Sequence, residues 1–136
     1  MIFHKKIRIY YEDTDASGIV YHANYLKFFE RARTDAFHQT GLTHQALTGM
    51  NMAFVIKHLA VDYRAPAYLE QFLEIETVVA QVKRASVLFE QSLKDVNILC
   101  KQTTKIALID LTTKQPLPIP STWVQKIQAV GVSCAQ

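Results

Sequence analysis

Residues 5 to 12 (KKIRIYYE) set Ile7, Ile9 and Tyr11 against Lys6, Arg8 and Tyr10, the two-residue period of a strand with one buried face. Positions 13 to 21 then carry Asp, Thr, Ser and Gly, the chemistry of loops and tight turns. From about Ala23 to Thr40 the period changes. Tyr25, Phe28, Phe29, Ala32, Ala36 and Phe37 recur at helical spacing, and Gly41 stands where a left-handed cap would end the helix. Residues 42 to 52 show no clear period and read as a mixed loop. Beyond them the chain turns β-rich. Strands are expected over 53–64, closed by Ala65-Pro66-Ala67, and over 70–82, with Leu73, Ile75, Thr77 and Val79 on one face. Two more are expected over 85–94, with Val87, Phe89 and Leu93 aligned, and over 98–111. Pro116, Pro118 and Pro120 end regular pairing, and residues 121 to 129 can form a short helix. A single long helix with this many aromatics is best buried by a sheet curved around it. The pattern therefore predicts an α+β fold with its strands in antiparallel hairpin order. No repeat or linker interrupts it, so one domain is expected over residues 1–136.

Composition narrows the function more than the fold. The chain is 49% hydrophobic and 20% charged, with a formal net charge of +3. That excess is too slight for nucleic acid, and no basic and aromatic residues interleave as a base-stacking platform. It does suit a ligand carrying phosphates. No apolar stretch approaches the length of a membrane span, and residues 1 to 8 lack the apolar run of a secretory signal. Cys100 and Cys134 form neither a disulfide framework nor a metal spacing. The expectation is a cytoplasmic protein with inert thiols.

Candidate chemistry gathers where the first strand gives way to the helix. Asp13, Asp15 and Gly18 precede His22 and the helix start. The first backbone N–H groups of a helix have no intrahelical acceptor and carry its positive dipole end, so they suit a developing oxyanion. A glycine-containing loop lets the chain fold back, bringing the Asp15 carboxylate toward that end. Capping and turn formation are the ordinary uses of such an aspartate; Asp13 is read that way, as a turn or hydrogen-bonding residue. Ser17 lacks the glycine-flanked elbow of a serine nucleophile. His4, His38, His44 and His58 have no ligand spacing, so no metal is expected.

The run from Tyr11 to Tyr25 (YEDTDASGIVYHANY), followed by Phe29-Glu30-Arg31-Ala32-Arg33, resembles the hot-dog-fold acyl-CoA thioesterases. The likeness is to the 4-hydroxybenzoyl-CoA thioesterase family, in its Tol–Pal-associated, YbgC-like branch. It continues through Val61–Ala67 and Leu73–Thr77 and covers roughly residues 5 to 112. The resemblance implies a hot-dog fold, a five-stranded antiparallel sheet wrapped around one long central helix. It also implies a homo-oligomer, with dimers joined sheet edge to sheet edge and commonly paired into a dimer of dimers.

For the site, the resemblance assigns the chemistry to Asp15, as general base or as nucleophile. The backbone N–H of His22 polarises the thioester carbonyl, and Tyr11 and the His22 side chain support them. No cofactor is implied, since coenzyme A is part of the substrate. Its phosphates need cations near the surface, for which Lys57, His58, Arg64, Lys83 and Arg84 are the candidates. Some relatives use a carboxylate on the central helix instead. Here Glu30 lies about two turns in, roughly 10 Å from the helix start, and is expected to pair with Arg33 or Arg64. Two other readings stand beside hydrolysis of acyl-CoA. One is hydrolysis of a thioester on an acyl carrier protein. The other is acyl-CoA binding without turnover, as a partner of envelope or lipid-synthesis proteins, which the presence of Asp15 disfavours.

Overall fold

A computed structural model of the protein describes residues 1–130, so Cys134 lies outside the described residues. Strand β1 (Phe3–Arg8) leads through a loop to helix α1 (Asn24–His38) and a short helix α2 (His44–Gly49). Strands β2 (Met52–Tyr63), β3 (Phe72–Val82), β4 (Ser86–Lys94) and β5 (Ile98–Asp110) follow, and helix α3 (Ser121–Gln128) comes last. The strands form one antiparallel sheet in the order β1-β3-β4-β5-β2.

Helix α1 lies across this sheet because its apolar stripe needs the strands' inward faces. Phe28, Phe29 and Ala32 pack with Leu73, Ile75, Leu93 and Cys100. One to two turns later, Ala36 and Phe37 pack with Val87, Phe89, Ile106 and Leu108. The result is the hot-dog fold that the sequence resemblance implies. Arg33 is also on the buried stripe, only 7% exposed. Its guanidinium donates to Gln91 Oε1 (2.9 Å) and Thr104 Oγ1 (3.4 Å). Burial lowers its pKa, a shift that nearby Glu30 partly opposes.

Three local features differ from the sequence pattern. Strand β1 stops at Arg8, because the Tyr10 N–H turns to the Asp13 carboxylate (2.9 Å) and Tyr11–Asp13 form one 3-10 turn. Tyr11 thus leaves the strand face and is 83% exposed. Residues 42 to 52, expected as loop, contain α2. Thr43 caps it by accepting from Ala46 N, and Leu42 and Leu47 bury into the same cluster on either side of that cap, the arrangement of a hydrophobic staple. Glu30 pairs with neither Arg33 nor Arg64. It accepts from Thr34 Oγ1 one turn on (3.2 Å), while Arg33 turns to the core and Arg64 binds Asp62 (3.0 Å). At the expected αL position Gly41 has φ +80°, a conformation open to glycine at little cost.

Among the described residues both outer strands leave an edge unpaired. On β2 the edge is twelve residues long and exposes Val55 and Ile56. A bulge between Ile56 and His58 leaves Lys57 without a partner across the ladder. No described helix is long and apolar enough to cross a membrane.

Candidate active site

The segment between β1 and α1 folds into a small hairpin. Thr14 bridges Val20, the Asp15 N–H donates to Ile19 O (2.9 Å), and the Tyr21 N–H donates to Asp13 O (2.9 Å). The Gly18 N–H closes the turn onto Asp15 O (3.1 Å), and Gly18 takes φ +82° to do so. Asp15 therefore stands at the exposed tip, while His22 follows the last rung at the base, next to the helix. One Asp15 oxygen accepts from both the backbone N–H (2.8 Å) and the hydroxyl of Ser17. The hydroxyl first, and the N–H second, lower the Asp15 pKa from its ordinary value. Asp15 is thus a charged, oriented carboxylate at neutral pH.

The carboxylate joined to the helix start belongs to Asp13. Only 4% exposed, it accepts from Tyr10 N on one oxygen and from Asn24 Nδ2 on the other (2.7 Å). Asn24 is the first residue of α1, so Asp13 ties hairpin and helix together.

Helix α1 starts without a capping side chain and has no acidic residue in its first turn. The backbone N–H groups of His22 and Ala23 meet no acceptor among the described residues, which leaves donors and dipole free for an incoming oxygen. Two tyrosines set this end. The Tyr63 hydroxyl donates to His22 O (2.7 Å). Tyr25 packs edge-on against Tyr63, and its hydroxyl accepts from Ala67 N (3.1 Å). Burial raises both tyrosine pKa values. Sequence reasoning gave neither tyrosine a role, although both lie in the stretches quoted for the family likeness. The His22 ring is exposed and lies against Tyr21. Tyr11 sits on the exposed 3-10 turn at the hairpin's base.

The five cations named for coenzyme A do not form one patch. Lys57 and His58 are at the β2 bulge, in the same ladder rows as Gln81 and Val82, and so share one end of the sheet with Lys83 and Arg84 in the β3–β4 turn, two strands across; Arg64 follows β2 at the opposite end. Glu30 instead borders a cavity of about 680 Å³ between α1, α2 and β2, floored by Phe37, Leu42, Leu47 and Phe54. Cys100 is fully buried, and burial first, then Asp62, push its thiol pKa up to about 12. His4, Glu74 and Glu76, distant in sequence, each offer a ligand atom within 4.8 Å of the others. Lys94 already pairs with Glu76 in that group.

A family model described as a thioesterase-like superfamily matches residues 10–128. The chain is 48% identical to a Haemophilus influenzae protein named acyl-CoA thioesterase YbgC, covering 84% of this chain and 85% of that one. It is 35% identical to an Escherichia coli acyl-CoA thioester hydrolase YbgC, over 93% and 96% of the two chains. Among solved structures, a probable thioesterase from Bartonella henselae superposes with a TM-score of 0.83 at 31% identity, covering 88% of this chain and all of that one.

Proposed function

Because the chain belongs to the thioesterase-like superfamily, we propose that it hydrolyses acyl-CoA to a free acid and coenzyme A. The observation that carries this reading is an ionised carboxylate on a hairpin tip that leads directly into an uncapped helix start. A thioester carbonyl under attack becomes an oxyanion, and preorganised N–H donors aimed at that oxygen are worth far more than in water. The His22 N–H serves there, with Tyr63 holding the adjoining carbonyl.

Asp15 drives the attack in one of two ways. As general base it takes a proton from water while the water oxygen bonds to the carbonyl carbon; collapse then expels the thiolate, which takes up that proton. As nucleophile its own oxygen forms a mixed anhydride, the thiolate leaves, and water cleaves the anhydride. Both routes need Asp15 ionised, and the Ser17 donors favour that state.

The unpaired β2 edge, with Val55 and Ile56 exposed, supports assembly into a homo-oligomer, since an open edge of this length otherwise invites indiscriminate pairing. The acyl-CoA substrate and an unpaired, buried Cys100 fit a reducing cytoplasm.

Replacing Asp15 with Asn tests the assignment. The amide keeps the shape but neither takes a proton at neutral pH nor forms an anhydride. Turnover of an acyl-CoA should fall by at least about 10²–10⁴-fold, with the fold intact by circular dichroism. Glu30→Gln is the paired control and should stay active. Near wild-type turnover in Asp15→Asn, with loss in a folded Glu30→Gln, refutes the assignment.

A further inference from the structure

We propose that the nucleotide end of coenzyme A is held along the β1 edge, its phosphates on Arg8 and Arg31 and its adenine on the exposed ring of Phe72. This rests on the acyl-CoA reading above. Two cavities of about 400 Å³ each adjoin there, and Arg8 and Tyr10 line both. The first is basic, lined by Lys5, Lys6, Arg8 and Arg31 against Glu12 and Asp13. Lys5 is engaged by Asp35, and Asp13 by Tyr10 and Asn24. Lys6, Arg8 and Arg31 form no ion pair among the described residues; Lys6 stands across the ladder from Glu74, and Glu12 is the other carboxylate lining this cavity.

The second cavity is aromatic, with Tyr10 54% and Phe72 73% exposed. Aromatic side chains turned to water beside unpaired cations are what a base followed by phosphates requires: the ring stacks the base, and guanidinium forks bind phosphate oxygens. Arg8 is already oriented for this, its guanidinium 4.7 Å from the Tyr10 ring centre and 5.8 Å from that of Phe72. The groove also adjoins the catalytic hairpin. Leu69, which lines the aromatic cavity, donates its N–H to Gly18 O (3.2 Å), in the turn that carries Asp15. The long pantetheine arm of coenzyme A then bridges the hairpin and the groove. None of the cations named from sequence alone lines either cavity.

The test compares an acyl-CoA with the same acyl group on pantetheine, which keeps the arm and lacks the nucleotide. In Arg8→Ala/Arg31→Ala and in Phe72→Ala, the ratio of kcat/KM for acyl-CoA to that for acyl-pantetheine should fall about tenfold, through KM. Phe72→Trp should restore it. The arginine variant should also flatten the salt dependence of kcat/KM. Calorimetric titration with coenzyme A itself should show the same weakening, which keeps the test valid whether or not the protein turns substrate over. Lys101→Ala, losing one exposed charge on β5, should change neither ratio nor titration. Equal losses on both substrates, an unchanged ratio in folded variants, or losses confined to an acyl carrier protein substrate each overturn the proposal. Wild-type protein that binds coenzyme A through this groove yet hydrolyses neither thioester removes the hydrolase reading and leaves the groove standing.

Discussion

Asp13→Ala should damage the protein through the junction between hairpin and helix, and the structure fixes how much. The carboxylate meets two donors, Tyr10 N–H and the Asn24 amide, at 2.9 and 2.7 Å. Alanine strands both. A buried donor left without an acceptor costs about 1–3 kcal/mol. Asn24 is 8% exposed and bears the full penalty, whereas Tyr10 is half exposed and its N–H can recruit water. The sum is about 2–4 kcal/mol, a sizeable share of the roughly 5–15 kcal/mol that holds a domain together. With an m-value of about 1–3 kcal/mol/M in urea, the unfolding midpoint should drop by roughly 1–2 M. Asp13→Asn separates hydrogen bonding from charge. Its oxygen can still accept from Tyr10 N, and a flipped Asn24 amide can accept from its new NH₂ group, so the loss should stay below about 1 kcal/mol. Turnover should follow the same order, because the junction sets where Asp15 stands relative to the His22 N–H. A midpoint unchanged in Asp13→Ala, or Asp13→Asn as unstable as Asp13→Ala, refutes this account.

Removing the Ser17 hydroxyl removes the largest cause of the lowered Asp15 pKa. In Ser17→Ala that pKa rises toward its ordinary value. In the proposed mechanism activity needs the ionised form and is lost as pH falls through the pKa, so the acid limb of the kcat/KM profile should move to higher pH. Cys100→Ser should leave kcat within about twofold, because a thiol with a pKa near 12 is protonated at neutral pH and does not act as a nucleophile. The new hydroxyl, buried without a partner, should cost about 1–3 kcal/mol by denaturant titration; a folded Cys100→Ser without turnover would point to thiol chemistry. Ile56→Lys places a charge on the exposed β2 edge, and light scattering at micromolar concentration should then report a smaller particle than wild type. A wild type larger than one chain with an unchanged mass in the variant would place the interface elsewhere, and a wild type of one chain's mass would refute the proposed assembly.

Local pattern was enough for much of the fold. The aromatic spacing from Tyr25 to Phe37 is a helix by itself, and the alternation through Leu73, Ile75 and Thr77 is a half-buried strand by itself, because side-chain direction follows from backbone period. Gly41 and Gly18 announced their turns because few other residues accept positive φ. The short helix at His44–Gly49 escaped because six residues hold too little of a period, although the Leu42, Thr43 and Leu47 staple was there to read. Asp15 stood out through its neighbours in the motif, but its bond to Ser17 and the separate bond of Asp13 to Asn24 depend on how the hairpin closes. Charges were least legible. Arg33 looks like any helix-surface cation until the sheet covers it, and Glu30 then loses its expected partner. Likewise Arg8, Arg31 and Phe72 are distant in sequence and meet around two cavities only once β1, α1 and β3 are packed. A period tells a residue which way to point, but only the tertiary structure decides what it points at.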